Sequence, residues 1–320
     1  MILAIAHKLN LKSKMMFEDE IKHVGVVGTG VIGISWATLF LEKGLKVTAT
    51  DINKHAEQKL REGIALNAPQ ISQDLLEFKE ELEDAVRGVQ FVQECGTERI
   101  DLKQELFQRL DAYTNPSVLL VSSSSGIMPS VFQAKAINPQ RILLGHPFNP
   151  PHIIPLVEVC GGINTSSEAI LKTMEFYKSI GKRPIQLRKE MEGHVANRLQ
   201  AALWQEAFFL VQQGVVSVQD LDIAITEGPG LRWAMLGPFL NMHLAGGTNG
   251  IKHFLTHLGP PINSWIKSLG KVSVDKALID LLSEGVEQVL SGKKIDQLVR
   301  ERDELLQQIK HLKETSQNVS

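Results

Sequence analysis

The stretch "KHVGVVGTGVIGISWATLFLEKGLKVTATD" (residues 22–51) decides the fold. A short β-branched run that ends at Gly28 is typical of a buried strand, and residues 31–44 have helical spacing. Gly44 suits the end of that helix, and residues 45–51 show the next strand pattern. Strand, glycine turn, helix and strand together make a βαβ unit, which predicts a parallel sheet.

Strand-like and helix-like runs alternate through the following part of the chain. The strand-like runs are residues 89–95, 117–125, 141–148, 156–162 and 183–188, and the helix-like runs are residues 99–113 and 167–181. This alternation is typical of an α/β sheet with helices on both faces. We therefore predict a Rossmann-type, doubly wound domain over residues 22–190.

The rest of the chain shows helical patterns and turns but no further strand-like run. Residues 194–214 are apolar on nearly every face, which is typical of a fully buried helix. Residues 295–314 carry an apolar stripe that would cover either their own domain or a partner chain. We predict a C-terminal all-α domain over residues 191–320 and an N-terminal extension over residues 1–21.

The overall composition limits the classes of function. The 320 residues carry a net charge of −2, so the basic face expected of a nucleic-acid-binding protein is not evident. No apolar run approaches the ~18 residues of a membrane span, and the N-terminus lacks the charge-first order of a secretory signal. The two cysteines, Cys95 and Cys160, end strand-like runs and favour buried thiols over a disulfide. We predict a soluble, cytoplasmic protein with no nucleic-acid or membrane partner.

The glycine turn is a candidate cofactor site. Three of its glycines have the G-x-G-x-x-G spacing, and here the motif follows a strand and opens a helix. Such a turn lets the backbone approach a pyrophosphate, whose charge the N-terminus of the helix stabilises. The predicted cofactor-binding residues of the turn are Gly28, Thr29, Gly30, Val31, Ile32 and Gly33.

Asp51 ends the second strand and is expected to select the cofactor. Its carboxylate should accept hydrogen bonds from a ribose 2′-hydroxyl and repel a 2′-phosphate. A site that binds the extra phosphate would be expected to have an arginine directly after this position, and none is present. We therefore predict NAD rather than NADP. A solvated aspartate after an ordinary glycine turn is the alternative.

The mostly apolar stretch "LLGHPFNPPHIIPLVEV" (residues 143–159) carries a His-Pro near its start and one glutamate near its end. His146 lies at the C-terminal side of a predicted strand, where ligands bind in doubly wound sheets, and Glu158 lies in the next run. Oxidation of a secondary alcohol needs a base, and a histidine suits that role when a carboxylate orients its ring. Both residues are candidate catalytic residues, and two incidental polar residues are the alternative.

Three motifs, "SSSSGI", "GHPFNPPHIIPLVEV" and "HVANR", resemble the 3-hydroxyacyl-CoA dehydrogenase family. The similarity runs from about residue 22 into the helical half. The resemblance implies that His146 is the catalytic acid/base and that Glu158 pairs with it. It also implies that Ser125 and Asn197 complete the catalytic site.

The segment "FVQECGTERIDLK" (residues 91–103) resembles the next cofactor segment of the same family. This likeness implies that Glu98 and Lys103 lie near the nicotinamide side of the site. Two features depart from the family pattern. Its usual S-N-T-S-S is "SSSSG" here, with Ser123 in place of Asn. The helical segment after Asp51 is shorter than in members that act on acyl-CoA, which weakens the case for a CoA thioester as substrate.

The stretch "GPGLRWAMLGPFLNMHLAGGTNGIKHFLTHLGPPINSW" (residues 228–265) is similar to the branch of this family that oxidises L-carnitine with NAD. The resemblance implies a substrate with a carboxylate, a 3-hydroxyl and a trimethylammonium group. Because a quaternary ammonium binds well against aromatic faces, Trp233 and Trp204 are candidate walls of its pocket, with core packing as the alternative. Arg232 is a candidate partner either for the substrate carboxylate or for a subunit contact.

The resemblance also implies a homodimer formed through the helical domain. L-gulonate and a 3-hydroxyacyl-CoA remain alternative substrates, and a crystallin-like NAD-binding protein without activity is a further alternative. The intact set of four candidate catalytic residues argues against a loss of activity. The motif "HFLTH" places His253 and His257 at metal-ligand spacing, but no third ligand accompanies them, so we predict no metal.

Overall fold

The computed structural model describes residues 20–53 and 55–316. The predicted N-terminal extension, residues 1–21, therefore lies almost wholly outside the described residues. The chain divides into two compact units, Met1–Val195 and Ala196–Ser320.

The first unit ends at Val195, whereas the sequence predicted a boundary at residue 190. The backbone N–H of Val195 donates a hydrogen bond of 2.9 Å to the Glu158 carboxylate. The ring of His194 lies 3.1 Å from the carbonyl oxygen of Ser124. These contacts attach His194 and Val195 to β7 and to the loop after β5. Residues 191–195 therefore belong to the first unit.

The first unit contains one eight-stranded sheet in the order β3-β2-β1-β4-β5-β6-β7-β8. All neighbouring strands are parallel except β6 and β7, which run antiparallel. The chain crosses back from β3 to β4, so β1 and β4 flank a switch point of the kind at which doubly wound sheets bind ligands. The strands are β1 (His23–Val27), β2 (Lys46–Thr50), β3 (Leu76–Phe78), β4 (Phe91–Glu94), β5 (Leu119–Ser122), β6 (Ile142–Pro147), β7 (Leu156–Gly161) and β8 (Arg183–Gln186).

This architecture confirms the predicted Rossmann-type fold. The sequence did not predict β3, which is only three residues long and lies in a polar segment. A run of that length is too short to show the alternation by which strands are predicted.

Helices cover both faces of this sheet. Alternate residues of the central strands, such as Val26 and Val27, belong to two different buried clusters. In the larger cluster the rings of Trp36 and Phe40 stack with centroids 5.3 Å apart. The helices are α1 (Val31–Glu42), α2 (Ala56–Asn67), α3 (Leu82–Ala85), α4 (Ile100–Tyr113), α5 (Pro129–Phe132) and α6 (Ser167–Ser179), with a 3-10 turn at Pro139–Arg141.

The second unit is all-α, as the sequence predicted. Its helices are α7 (Ala196–Gln212), α8 (Val218–Thr226), α9 (Pro229–Trp233), α10 (Pro238–Ala245), α11 (Gly250–Ser268), α12 (Lys276–Leu290) and α13 (Ile295–Thr315), with a 3-10 turn at Gly247–Asn249. Among the helices that the structure describes, none has the length and apolar character needed to cross a membrane.

The prediction that residues 194–214 form a fully buried helix is wrong. The helix itself is present as α7, but of its described residues only Val211 is buried. The side chain of Leu199 is 65% exposed and that of Trp204 is 48% exposed. Within its unit α7 packs mainly against α8 and α12, so the described residues of that unit leave much of its apolar surface uncovered.

Candidate active site

Glycines shape the turn between β1 and α1. Gly28 has a φ of 92°, and a side chain there would collide with the backbone at Cys95. A side chain at Gly33 would collide with the carbonyl oxygen of Gly28, so its absence lets α1 lie directly against the turn. The space beside Gly30 is open. An anionic group can therefore approach the N-terminal N–H groups of α1 without meeting a side chain.

Asp51 follows β2 and binds this turn. One carboxylate oxygen accepts hydrogen bonds from the Thr29 backbone N–H at 2.7 Å and from the Thr29 hydroxyl at 3.1 Å. The other oxygen accepts a 2.9 Å hydrogen bond from the N–H of Asn53. A carboxylate has lone pairs left after such contacts, so Asp51 remains able to accept a ribose hydroxyl. The sequence predicted the ribose role but not the second role, in which Asp51 holds the turn.

A cavity of about 690 Å³ lies beyond the ends of β1, β2 and β4. This volume lies within the range of small-ligand sites. Gly28, Gly30 and Asp51 line it, which places the glycine turn at its wall. The acidic side chains of the lining outnumber the basic ones. The acidic residues are Asp51, Glu80, Glu81 and Glu105, and the basic residues are Lys103 and Arg109. This balance disfavours an additional phosphate, so the cavity fits a dinucleotide whose ribose carries a free 2′-hydroxyl.

Lys103 is buried at the cavity and paired with Glu94. Its ammonium lies 2.8 Å from each carboxylate oxygen of Glu94. The same carboxylate accepts hydrogen bonds from the Ser122 hydroxyl at 2.6 Å and from the Gly96 N–H at 2.7 Å. The Lys103 charge is therefore neutralised and held in one position. A glutamate that ends an apolar strand, as in "FVQE", is a sequence signal for such a pair, although Glu94 was not among the predicted site residues.

Glu98 organises the loop that carries Ser125. One of its carboxylate oxygens accepts hydrogen bonds from the Ser124 hydroxyl at 2.6 Å and from the N–H groups of Ser125 and Gly126 at 3.0 Å. Burial opposes ionisation of Glu98, but the Ser124 hydroxyl, the Lys103 charge and the backbone N–H groups outweigh burial and lower its pKa. The structure thus shows Glu98 as a carboxylate that orders this loop. Its predicted place beside the nicotinamide stays a prediction.

His146 and Glu158 face each other across the antiparallel strands β6 and β7. Both side chains are buried, and Nδ1 of His146 lies 2.8 Å from Oε2 of Glu158. An ionised carboxylate only accepts hydrogen bonds, so Nδ1 carries the hydrogen and Nε2 keeps the lone pair. The other oxygen of Glu158 accepts the N–H of Val195. The pair therefore presents a base of fixed tautomer whose protonated form would be stabilised by the adjacent carboxylate.

A second buried histidine, which the sequence did not predict as a site residue, adjoins this pair. The ring centroid of His194 lies 5.1 Å from that of His146. Its Nε2 lies 3.1 Å from the carbonyl oxygen of Ser124. The motif "HVANR" contained a signal, since its histidine directly follows a glycine at the start of a predicted helix.

The other predicted site residues belong to the second unit. Asn197 and Trp204 lie on α7, whereas Arg232 and Trp233 end α9. The Trp233 side chain is 46% exposed, similar to that of Trp204. Both indoles are therefore accessible to a ligand, and neither is an ordinary core residue of its unit.

His253 and His257 stack on α11 with ring centroids 6.2 Å apart. Within residues 20–53 and 55–316, no group of three or more His, Cys, Asp or Glu side chains has an arrangement that would hold a metal ion. The geometry of the described residues therefore gives no support to a metal centre.

Residues 23–191 match the family described as 3-hydroxyacyl-CoA dehydrogenase, NAD binding domain. Residues 193–276 match its counterpart, 3-hydroxyacyl-CoA dehydrogenase, C-terminal domain. Of the solved structures, 5-formyl-3-hydroxy-2-methylpyridine 4-carboxylic acid 5-dehydrogenase, an NAD+-dependent dismutase, superposes with a TM-score of 0.78 at 25% identity. That alignment covers 92% of this chain and 99% of the other.

Several curated proteins are similar over nearly the whole chain. The L-carnitine dehydrogenase of Streptomyces coelicolor is 43% identical, with 90% of this chain and 94% of that protein covered. The L-carnitine dehydrogenase of Pseudomonas aeruginosa is 42% identical, with 91% and 94% covered. A 3-hydroxyacyl-CoA dehydrogenase of Gibberella moniliformis is also 42% identical, with 94% and 98% covered.

Proposed function

The chain belongs to the 3-hydroxyacyl-CoA dehydrogenase family, and within that family we propose that it oxidises the 3-hydroxyl of L-carnitine to 3-dehydrocarnitine. It is an NAD-dependent 3-hydroxy acid dehydrogenase that acts on a small molecule. The observation that carries the chemistry is the buried His146–Glu158 pair, because it supplies the base that alcohol oxidation needs.

The proposed mechanism assigns a role to each residue of the site. His146 accepts the hydroxyl proton at Nε2, and Glu158 stabilises the imidazolium that results. Ser125 and Asn197 donate hydrogen bonds to the substrate oxygen. When bound, NAD supplies the acceptor for the hydride that leaves the carbinol carbon.

The residues that would hold the dinucleotide are those around the cavity. The backbone from Gly28 to Gly33, including Thr29, Val31 and Ile32, would bind the pyrophosphate, and Asp51 would bind the ribose. Glu98 and Lys103 would adjoin the nicotinamide side. The open space beside Gly30 is the observation that favours this fit.

A carnitine pocket is the finer part of the proposal. Trp233 and Trp204 would place indole faces against the trimethylammonium, each contact being worth about 0.5–2 kcal/mol. Arg232 would bind the carboxylate through two parallel hydrogen bonds. We expect Arg232→Lys to weaken carnitine binding more than NAD binding, whereas an equal loss of both would favour a structural role.

The competing substrate within the family is an acyl-CoA, as the name of the Gibberella relative suggests for that protein. The segment between β2 and β4 counts against it here. Residues 74–84 contain six acidic side chains and one lysine, so this segment lacks the basic surface expected where the phosphates of CoA bind. L-gulonate is a second competing substrate, and a crystallin-like role without turnover is the competing non-enzymatic function.

The test is NADH formation by the purified chain with NAD and L-carnitine at alkaline pH. Parallel reactions would contain L-gulonate and 3-hydroxybutyryl-CoA. We expect turnover of L-carnitine. Turnover of either other compound alone would keep the His146–Glu158 chemistry but reject carnitine as substrate. NADH binding without turnover of any of the three would favour the crystallin-like role.

We also propose that the chain forms a homodimer through its helical unit. No described residue of α13 is buried, although the helix carries an apolar stripe. The stripe has the alternating three- and four-residue spacing of a coiled coil, with one arginine in it: Ile295, Leu298, Arg302, Leu305, Ile309 and Leu312. Such a seam is expected to pack on another helix.

The charges of α13 favour a second copy in the antiparallel direction. Residues 295–304 contain four acidic and two basic side chains, whereas residues 305–315 contain two lysines and one glutamate. Two antiparallel copies would place the acidic half of each helix beside the basic half of the other. The matched C-terminal domain of the family ends at residue 276, before α13 begins. The proposed contact through α13 therefore lies outside the matched domain.

We place the protein in the cytoplasm as a further proposal. Cys95 and Cys160 are both free thiols, as is usual in a reducing compartment. Burial raises the pKa of Cys95 to about 12, so its thiol stays protonated and unreactive at neutral pH. Fractionation of the source cells with an antibody to the chain would test the location, and recovery outside the cytosolic fraction would reject it.

A further inference from the structure

His194 has an unusual backbone conformation for a residue with a side chain. Its φ is 53°, in the left-handed region, and the preceding Gly193 also has a positive φ of 70°. Left-handed backbone is unfavourable for a residue that carries a Cβ. His194 is nevertheless only 1% exposed, so the fold holds this side chain inside the protein. Contacts made by the ring and by the next residue must therefore outweigh the strain.

Those contacts reach three parts of the acid–base machinery. Nε2 of His194 lies 3.1 Å from the carbonyl oxygen of Ser124, the residue before Ser125. The His194 ring packs on His146 with centroids 5.1 Å apart. The next N–H, that of Val195, donates to the Glu158 oxygen that His146 does not use.

A carbonyl oxygen only accepts hydrogen bonds, so the tautomer of His194 follows from its contact. Nε2 must carry the hydrogen, which leaves Nδ1 unprotonated in the neutral ring. The opposite holds for His146, whose Nδ1 carries the hydrogen toward Glu158. The two adjacent imidazoles are therefore held in different tautomers, and His146 alone presents its Nε2 lone pair as the base.

We propose that His194 is a positioning residue for the dehydrogenase reaction, whose ring holds the Ser124–Ser125 loop against His146. This inference rests on the proposed function. The ring links the loop that carries one substrate-binding hydroxyl to the face of the base, while the kinked backbone at His194 directs the Val195 N–H to Glu158. One left-handed residue thus ties the loop that carries Ser125 to the His146–Glu158 pair, whose two members already face each other across β6 and β7.

The surroundings of His194 favour the neutral ring. Burial has the largest effect and lowers its pKa, and the adjacent His146 lowers it further, whereas the carbonyl groups of Ser124 and Met191 and the Glu158 carboxylate partly oppose this lowering. The charged or titratable groups that face it are His146 on β6 and Glu158 on β7, and Glu98 binds the Ser124 hydroxyl from the loop side. A neutral His194 adds no positive charge beside His146 when that residue takes up the substrate proton.

The test compares His194→Phe with His194→Gln. Phenylalanine keeps a ring but loses the donor, whereas the glutamine side-chain nitrogen can reach the position of Nε2. Phenylalanine and glutamine both bear a Cβ, so the left-handed backbone at position 194 is equally unfavourable in the two variants. We expect His194→Phe to lower kcat for L-carnitine about tenfold or more, as misplacement of a catalytic group does. The KM for NAD should stay unchanged, and His194→Gln should recover most of the lost kcat.

Two measurements without substrate separate this inference from the proposed function. Ring 15N chemical shifts should identify His194 as a neutral Nε2–H tautomer at neutral pH. Hydrogen exchange of the backbone over residues 122–127 should be faster in His194→Phe than in His194→Gln. If the wild-type chain does not oxidise L-carnitine, the proposed substrate fails while these two results still decide the role of His194.

Three results would overturn the inference. The first is an unchanged kcat in His194→Phe. The second is an equal loss of kcat in both variants with weaker NADH binding, which indicates a general loss of structure. The third is a protonated ring or an Nδ1–H tautomer for His194, since neither fits a neutral ring that donates from Nε2.

Discussion

The two units of this chain differ in the side chains that they bury. The first unit buries charged groups in pairs, such as Lys103 with Glu94 and Arg141 with Asp111. The second unit leaves large apolar side chains in solvent, and Phe239 is 74% exposed. Buried charges are stable only when paired, and extensive exposed apolar surface usually marks a binding face. The first unit therefore pairs these buried charges, whereas the second exposes apolar surface of the kind at which a partner binds.

Loss of the base should have the largest effect on the first unit's chemistry. We expect His146→Ala to lower kcat for L-carnitine by about a thousandfold, because general-base catalysis contributes 10²–10⁴-fold. NADH affinity, measured by fluorescence titration, should not change, since His146 does not line the cavity. His146→Gln can still donate toward Glu158 and serves if the alanine variant does not fold.

The matched control for this prediction is His253→Ala, on an exposed part of α11. It should leave kcat unchanged. A kcat retained in both His146 variants would contradict the assignment of His146 as the base.

A broken buried ion pair should cost the first unit much of its stability. We expect Lys103→Met to lower the free energy of unfolding by about 3 kcal/mol, because it leaves the Glu94 carboxylate buried without its partner. Urea titration followed by circular dichroism measures this loss. Adding Glu94→Gln should recover part of it, since the uncompensated charge is then removed.

A surface pair provides the contrast within the same unit. Lys172 and Glu168 lie 2.7 Å apart on α6, but both side chains reach solvent. Lys172→Met should cost less than about 0.5 kcal/mol. Equal losses for Lys103→Met and Lys172→Met would show that the buried pair has no special role in stability.

The apolar stripe of α13 tests whether the exposed apolar surface of the second unit binds a partner. We expect Leu305→Glu combined with Ile309→Glu to convert the dimer to a monomer in sedimentation velocity, because both residues lie in the proposed seam. Gln307→Glu, on the opposite side of the helix, should leave the dimer intact. A wild-type monomer, or a dimer unaffected by the seam variants, would reject α13 as the contact.

A smaller effect is expected at the proposed ammonium pocket. Trp233→Leu should raise the KM for L-carnitine about fivefold, in line with the loss of roughly 1 kcal/mol of cation–π attraction. The KM for NAD should not change. Trp265→Leu, another exposed tryptophan of the same unit, is the matched control. An unchanged KM for L-carnitine in folded Trp233→Leu would remove this residue from the pocket.

The smallest effect concerns the Ser125 loop and depends on pH. The folded-state pKa of Glu98 is lowered, so the ionised carboxylate stabilises the fold above its unfolded-state pKa. This contribution is lost as the pH falls through the folded-state value. Because the side chain is partly exposed, we expect Glu98→Gln to cost less than about 1 kcal/mol at neutral pH. The difference from wild type should shrink toward acid pH, and a difference that grows there would contradict this account.

Much of the first unit could be predicted because its signals are local. The strand, glycine turn and helix around Gly28 lie within thirty residues, and period and composition are readable over that distance. The helical second unit was predicted for the same reason. Burial of α7 was predicted wrongly, because an apolar helix in the sequence does not reveal whether its cover lies in the same chain.

The sequence by itself determined the βαβ start, the placement of Asp51 after β2 and the presence of His146 and Glu158. The antiparallel pairing of β6 with β7 decided that those two residues face each other. Tertiary structure also decided the pairing of Lys103 with Glu94 and the contact of His194 with Ser124, which lies 70 residues earlier in the chain. Side-chain periodicity reports on neighbours within a helix or strand, whereas these contacts depend on how separate strands and loops meet.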